Sequence, residues 1–140
     1  MTQRADLLYK EAEILKHGGP CGPIALAILT DQPYLDAVKL CEAEGHNAEK
    51  GDGLWFNQLA PILHRLGYTL VDITFEGRLA GAKTMQSTAW ALRDGKLGDA
   101  SRILLQTRNH FAAVRDGIIH DWSSAKKMHI TSMYRVEVSS

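Results

Sequence analysis

The dipeptide Asp116-Gly117, set in "VRDGII", constrains the fold of this chain more than any other feature. A type I′ turn needs positive φ at both central residues, and Asp-Gly between two apolar runs is the strongest short-range signal for one. Such a turn fixes a register: Arg115 faces Ile118, Val114 faces Ile119, Ala112 faces Asp121 and His110 faces Ser123. Facing residues share a sheet face, and so do residues two apart along one strand. His110, Ala112 and Val114 are therefore expected on the face of Ile119, Asp121 and Ser123, with His120 on the other. His110 and Asp121 become diagonal neighbours with backbones about 7–8 Å apart, within reach for two polar side chains. A slip of one residue would destroy the arrangement.

Around this hairpin the chain divides into two blocks. Leu7, Leu8, Ala12, Ile14 and Leu15 predict an amphipathic first helix that stops at Gly18-Gly19. Cys21 to Thr30 reads as a strongly apolar second helix, bounded by "TDQP". Pro33, placed in a first turn, opens a third through about Glu44, closed by Gly45. "GDGLWFNQLAPILHRLG" predicts a fourth, with Asp52 as N-cap, Pro61 as a kink and Gly67 as the stop. From Tyr68 the pattern alternates through Phe75 and predicts a strand, and a short helix follows from about Thr84 to Arg93. "SRILLQT", "HFAAVRDGIIHDW" and "MHITSMYRVEV" then supply strands in succession. Helices first and strands last predict an α+β domain, a helical layer on an antiparallel sheet. No repeat, low-complexity tract or linker divides residues 1–140, so one domain is expected.

Composition narrows the function. Sixteen basic and sixteen acidic side chains balance to a formal net charge of zero. That leaves no electrostatic footprint for nucleic acid or anionic lipid, so neither is an expected partner. The start, "MTQRADLLYKEAEILK", lacks the apolar core of a secretory signal, and no run approaches the ~20 apolar residues of a membrane span. A cytoplasmic protein is the expectation. Two cysteines, Cys21 and Cys41, are too few for a disulfide scaffold and suit a reducing compartment.

The chemistry lies in "HGGPCGPIALAIL", where Cys21 opens the second helix. Unsatisfied N–H groups and the positive end of the helix dipole favour a thiolate at such a position. The same N–H groups, including that of Cys21, can hold the oxyanion of a tetrahedral intermediate. Pro23 lacks an N–H, but the first turn of a helix does not need it. The Asp-Gly hairpin supplies the complementary half: Asp121 fixes the tautomer of the His110 ring and stabilises its cationic form, leaving the other nitrogen for a nucleophile.

"GGPCGPIALAIL" followed downstream by "NHFAAVRDGIIHDW" resembles the papain-like cysteine peptidase superfamily, most closely its small C39-like members of bacteria and phages. The resemblance spans about residues 10–122. It implies a papain-like fold with the nucleophile opening a central helix, Cys21 as nucleophile, His110 as base and Asp121 as the orienting acid. Such families carry a Gln six residues before the cysteine to complete the oxyanion hole, and this chain has Leu15 there. Lys16 and His17, just beyond, are then the candidate donors beside the Cys21 N–H.

Other residues have plainer readings. Cys41 sits among Ala37, Val38 and Leu40 and reads as core. His17, Cys21, Cys41 and His46 lack the paired spacing of a zinc site, so no metal and no cofactor is expected. His64 and His129 read as ordinary surface or packing residues, and Asp52 as a cap rather than part of a phosphate loop. Trp55 and Trp122 are candidate cleft aromatics, although aromatics more often serve a core.

The expected function is a cysteine peptidase or amidase that cleaves a peptide or protein substrate through an acyl-enzyme. An acyltransferase built on the same three residues is the first alternative. The second, prompted by Leu15, is a degenerate papain-like binding module without catalysis.

Overall fold

The computed structural model describes residues 4–18, 20–47, 54–108, 110–120 and 128–139. Helix α1 (Ala5–Ile14) buries Ala5, Leu8 and Ala12, a stripe at the i, i+3/i+4 spacing of one helix face. Leu7, Ile14 and Leu15, expected on the apolar side, are exposed instead. The helix also ends before the glycines: Leu15 is its C-cap, and Lys16 takes the left-handed conformation at φ 58°. A single residue in that conformation is a common helix terminator.

Helix α2 (Cys21–Thr30) is buried from Gly22 through Leu29. A helix apolar all round must be enclosed, and each of its Ile and Leu side chains contributes about 1.5–3 kcal/mol by leaving water. Asp31, at φ 60°, ends it. Helix α3 (Tyr34–Glu42) is shorter than expected; Pro33 is its N-cap, and Gly45 follows at φ 100°. Helix α4 (Phe56–Arg65) starts after Trp55, whose backbone N–H donates to Gln58 Oε1 at 2.8 Å. Asp52, expected as its cap, lies outside the described residues. Pro61 stands inside α4, and Gly67, at φ 94°, follows its end.

Strand β1 (Tyr68–Asp72) is cut short by helix α5 (Thr74–Leu79). The alternating pattern continues to Phe75, but the Asp72 carboxylate accepts from the Thr74 backbone N–H at 2.9 Å and turns the chain. Helix α6 (Met85–Arg93) follows, capped by Thr84, whose hydroxyl accepts from the Ser87 N–H at 3.1 Å. The remaining strands are β2 (Arg102–Gln106), β3 (Phe111–Arg115), β4 (Ile118–His120) and β5 (Ser132–Val138). They form one antiparallel sheet in the order β1-β5-β2-β3-β4.

The β3–β4 hairpin has the expected register, with Arg115 opposite Ile118 and Val114 opposite Ile119. Asp116 at φ 52° and Gly117 at φ 80° make the turn between them. His120 lies opposite Ala113, on the face away from Val114 and Ile119.

Helices cover both faces of the sheet. Leu104, Phe111, Ala113 and Val136 pack with α1 to α4 in one core, whereas Ile103, Leu105, Ala112, Val114 and Met133 pack with α6 and the segments around it in another. Alternation along β2 and β3 explains the split. The sheet is therefore sandwiched, where the sequence predicted a single helical layer, and its strands are apolar at consecutive positions for that reason. The architecture is α+β.

Candidate functional site

Cys21 is the first residue of α2, with Pro20 as N-cap and no side-chain cap on the helix end. The first intrahelical bond runs from Ile24 N–H to the Pro20 carbonyl at 2.9 Å. Pro23 has no N–H, so the donors that the opening turn aims past the helix end belong to Cys21 and Gly22. Gly22 is required by packing: a Cβ there would stand 2.7 Å from Leu54 Cδ2 and 2.9 Å from Leu54 Cβ. The start of α2 is thus pressed against the chain that leads into α4.

His110 precedes β3 and is almost fully buried at 5% exposure. Its backbone is fixed by Thr107, whose N–H and hydroxyl both donate to the His110 carbonyl, at 2.8 and 3.3 Å. This closes the turn from β2 to β3, after which Phe111 pairs with Gln106.

Cys21 and His110 line one cavity of about 280 Å³. Leu54, Trp55 and Phe111 supply apolar wall, and Gln106, Thr107 and Arg108 supply polar groups. By strand alternation position 110 has the parity of Ala112 and Val114, the face away from α2. His110 nevertheless shares the cavity with its neighbour Phe111, because it stands beyond the end of the strand, where alternation no longer dictates direction. The cavity therefore opens at the ends of α2 and β3.

The two elements match in length. Ten helical residues span about 15 Å and five strand residues about 17 Å, so α2 and β3 begin and end together. At the far end Arg115 donates to the Ile28 carbonyl at 3.0 Å and to both Asp31 oxygens, at 2.9 and 3.0 Å. Arg102 donates to the Leu29 carbonyl at 2.8 Å. These guanidinium groups satisfy the last carbonyls of α2 and complement the negative end of its dipole. The helix is thereby anchored to the sheet with Cys21 at the level of His110.

Leu15, where the resemblance expects a Gln, and the candidate donors Lys16 and His17 lie away from the cavity. Leu15 is exposed at the end of α1, Lys16 is exposed, and the His17 ring shares a 2.8 Å hydrogen bond with the Tyr34 hydroxyl. Burial pushes the Tyr34 phenol up to about 12, so it stays protonated. None of the three lines the cavity. Among the described residues the side chain with an amide on the cavity wall is Gln106, which sequence reasoning passed over. Its pairing with Phe111 puts it on the α2 face of the sheet. A register for β2 and β3 would have found it, and nothing in the sequence of β2 alone gives one.

Asp121, the expected orienting acid, and Trp122 lie outside the described residues. Trp55 does line the cavity, at 73% exposure. Cys41 is fully buried in the core, and burial drives its thiol up to about 12. Burial and the Arg115 charge hold His120 below the usual histidine value, and it does not line the cavity. His64 and His129 are exposed. Among the described residues no three His, Cys, Asp or Glu side chains converge to hold a metal, and no helix is long and apolar enough to cross a membrane.

Comparison of the chain with known protein families, with curated proteins and with solved structures finds no match.

Proposed function

We propose that this protein is a thiol hydrolase of papain-like type, cleaving a peptide or related amide through an acyl-enzyme on Cys21. The observation that carries the reading is that Cys21, at a helix N-terminus, and His110, on a distant turn, line one cavity. A buried thiol of the core, such as Cys41, has no such access. The two free cysteines accord with action in the cytoplasm.

In the reaction His110 takes the thiol proton as the Cys21 sulfur attacks the carbonyl carbon and the C–S bond forms. The oxyanion is held by the Cys21 N–H and the Gln106 amide, which takes the place of the donor expected near Leu15. Collapse breaks the C–N bond, and the His110 imidazolium gives its proton to the leaving amine. Water, deprotonated by His110, then attacks the thioester and releases the acid and the thiol. Asp121 is assigned to orient His110 on the family resemblance, since the hairpin register runs from Ala113 to His120 and His110 stands outside it.

A peptidyl electrophile tests the reading, with adducts located by mass spectrometry. Modification of Cys21 that slows by about a hundredfold or more in folded His110→Ala agrees with a base contribution of the usual size. Equal rates in the two proteins would sink the catalytic assignment and favour a binding module.

A further inference from the structure

The groups that surround the sulfur are unevenly charged. Arg108, exposed in the β2–β3 turn, lines the cavity, and no Asp or Glu does so among the described residues. Other arginines have structural work: Arg115 holds Asp31, Arg102 caps α2, and Arg135 donates to the Asp99 and Leu97 carbonyls. Arg108 has no such bond or ion pair among the described residues. A guanidinium without a partner among the described residues, at the mouth of a cavity, is suited to a carboxylate.

Trp55 is the second uncommitted group. It is the N-cap residue of α4, yet it is 73% exposed while Leu54 beside it is buried. Leu54 and Phe111 continue the apolar surface inward from the indole. An aromatic ring left open at a cavity rim is a contact for an apolar or aromatic group. The volume of about 280 Å³ is just below the range of about 300–1,000 Å³ for small-molecule pockets, so the occupant is a short segment.

We propose that the cavity selects a short segment that carries a carboxylate, bound by Arg108, next to a bulky apolar side chain, bound against Trp55. This rests on the reading of the Cys21–His110 cavity as the reaction site and names its substrate class. The carboxylate comes either from an acidic side chain or from a free chain terminus, and both present the same two oxygens to the guanidinium.

Binding is measured by NMR titration on the full chain carrying Cys21→Ala, which separates recognition from turnover. Three N-acetylated dipeptides serve as probes: Phe-Glu amide, Phe-Gln amide, and Phe-Gln with a free terminal carboxylate. At low salt at least one carboxylate peptide binds about tenfold tighter than neutral Phe-Gln amide, the scale of a charge-assisted contact, and which one does so identifies the source. Adding Arg108→Glu abolishes that preference, whereas Trp55→Ala weakens all three peptides alike. Equal binding of the three, or a preference that survives Arg108→Glu, overturns the proposal. Turnover by the wild-type chain is read separately. A binding preference without turnover upholds the selectivity and overturns the hydrolase, and turnover without a preference does the reverse.

Discussion

Arg115 and Asp31 join the end of β3 to the end of α2 through paired hydrogen bonds of 2.9 and 3.0 Å, and that pairing sets how α2 lies along the strand. Cys21 and His110 stand at the opposite ends of the same two elements. Hydrogen bonding to Arg115 holds the Asp31 carboxyl below its ordinary value of 3.8, against a smaller opposing effect of burial. Because the folded value is the lower one, this stabilisation is complete above the ordinary carboxylate value and is lost as pH falls through the folded value. Asp31→Asn, which tolerates the left-handed backbone, removes the charge and one of the two oxygens that accept from Arg115. Asp31 is half-exposed, so the variant is expected to lose about 0.5–1 kcal/mol at pH 7. Urea titrations at pH 7 and pH 3 measure this. A difference between the proteins that stays the same at both values would rule out the ionised pair as its cause.

The two thiols are predicted to differ sharply in access. Cys41 is fully buried with its thiol pushed up to about 12, whereas Cys21 is half-buried at the cavity. Iodoacetamide is expected to modify Cys21 in the folded protein and to reach Cys41 only after denaturation, since the thiolate is the reacting form and must be exposed. Peptide mapping after timed quenching gives the order. Modification of Cys41 first, or of both together, contradicts the placement of Cys41 in the core.

Much of the architecture was legible because local rules and tertiary packing agree. The bounds of α2, the Asp116-Gly117 turn and the register from Arg115 to Ile119 follow from an apolar run and one dipeptide. The failures have a common cause in contacts distant along the chain. Thr74 and Phe75 continue the strand alternation, yet Asp72 turns the backbone and Thr74 bonds to Met133 of β5, with Met133 N–H donating to its hydroxyl at 3.0 Å. Leu7 and Ile14 fit an apolar stripe, but α2 is covered by Ala5, Leu8 and Ala12. Of the residues that line the cavity, Cys21 was placed by helix chemistry, whereas His110 reaches it from beyond the end of β3 and not through the face that the hairpin register gives it. Gln106 was not legible, because its position depends on β2 pairing with β3 through a turn that carries no Asn-Gly or Asp-Gly signal.

Gln106→Ala tests the donor assigned to the oxyanion. Loss of one such donor in other enzymes lowers kcat by about 10²–10³, with less effect on substrate affinity. The same pattern is expected here, read as kcat and KM on one peptide substrate. Gln106→Glu is expected to be at least as slow, because a carboxylate repels the developing negative charge. A rise in KM with kcat unchanged would instead make Gln106 a binding contact, and unchanged kinetics would remove it from the site.

Gly22→Ala probes how tightly the reactive end of α2 is seated. The added methyl would stand 2.9 Å from Leu54 Cβ, an atom that cannot swing aside without its backbone. Helix propensity favours alanine by about 1 kcal/mol, but overpacking of this kind costs about 1–3 kcal/mol. The net expectation is a protein destabilised by up to about 2 kcal/mol. Leu54 lines the cavity beside Cys21, so the same displacement is expected to lower the rate at which a peptidyl electrophile modifies Cys21, while small iodoacetamide is less affected. Thermal unfolding and the two labelling rates measure both effects. A variant as stable as the parent, with both rates intact, would show that the α2 start and Leu54 are not pressed together as the geometry requires.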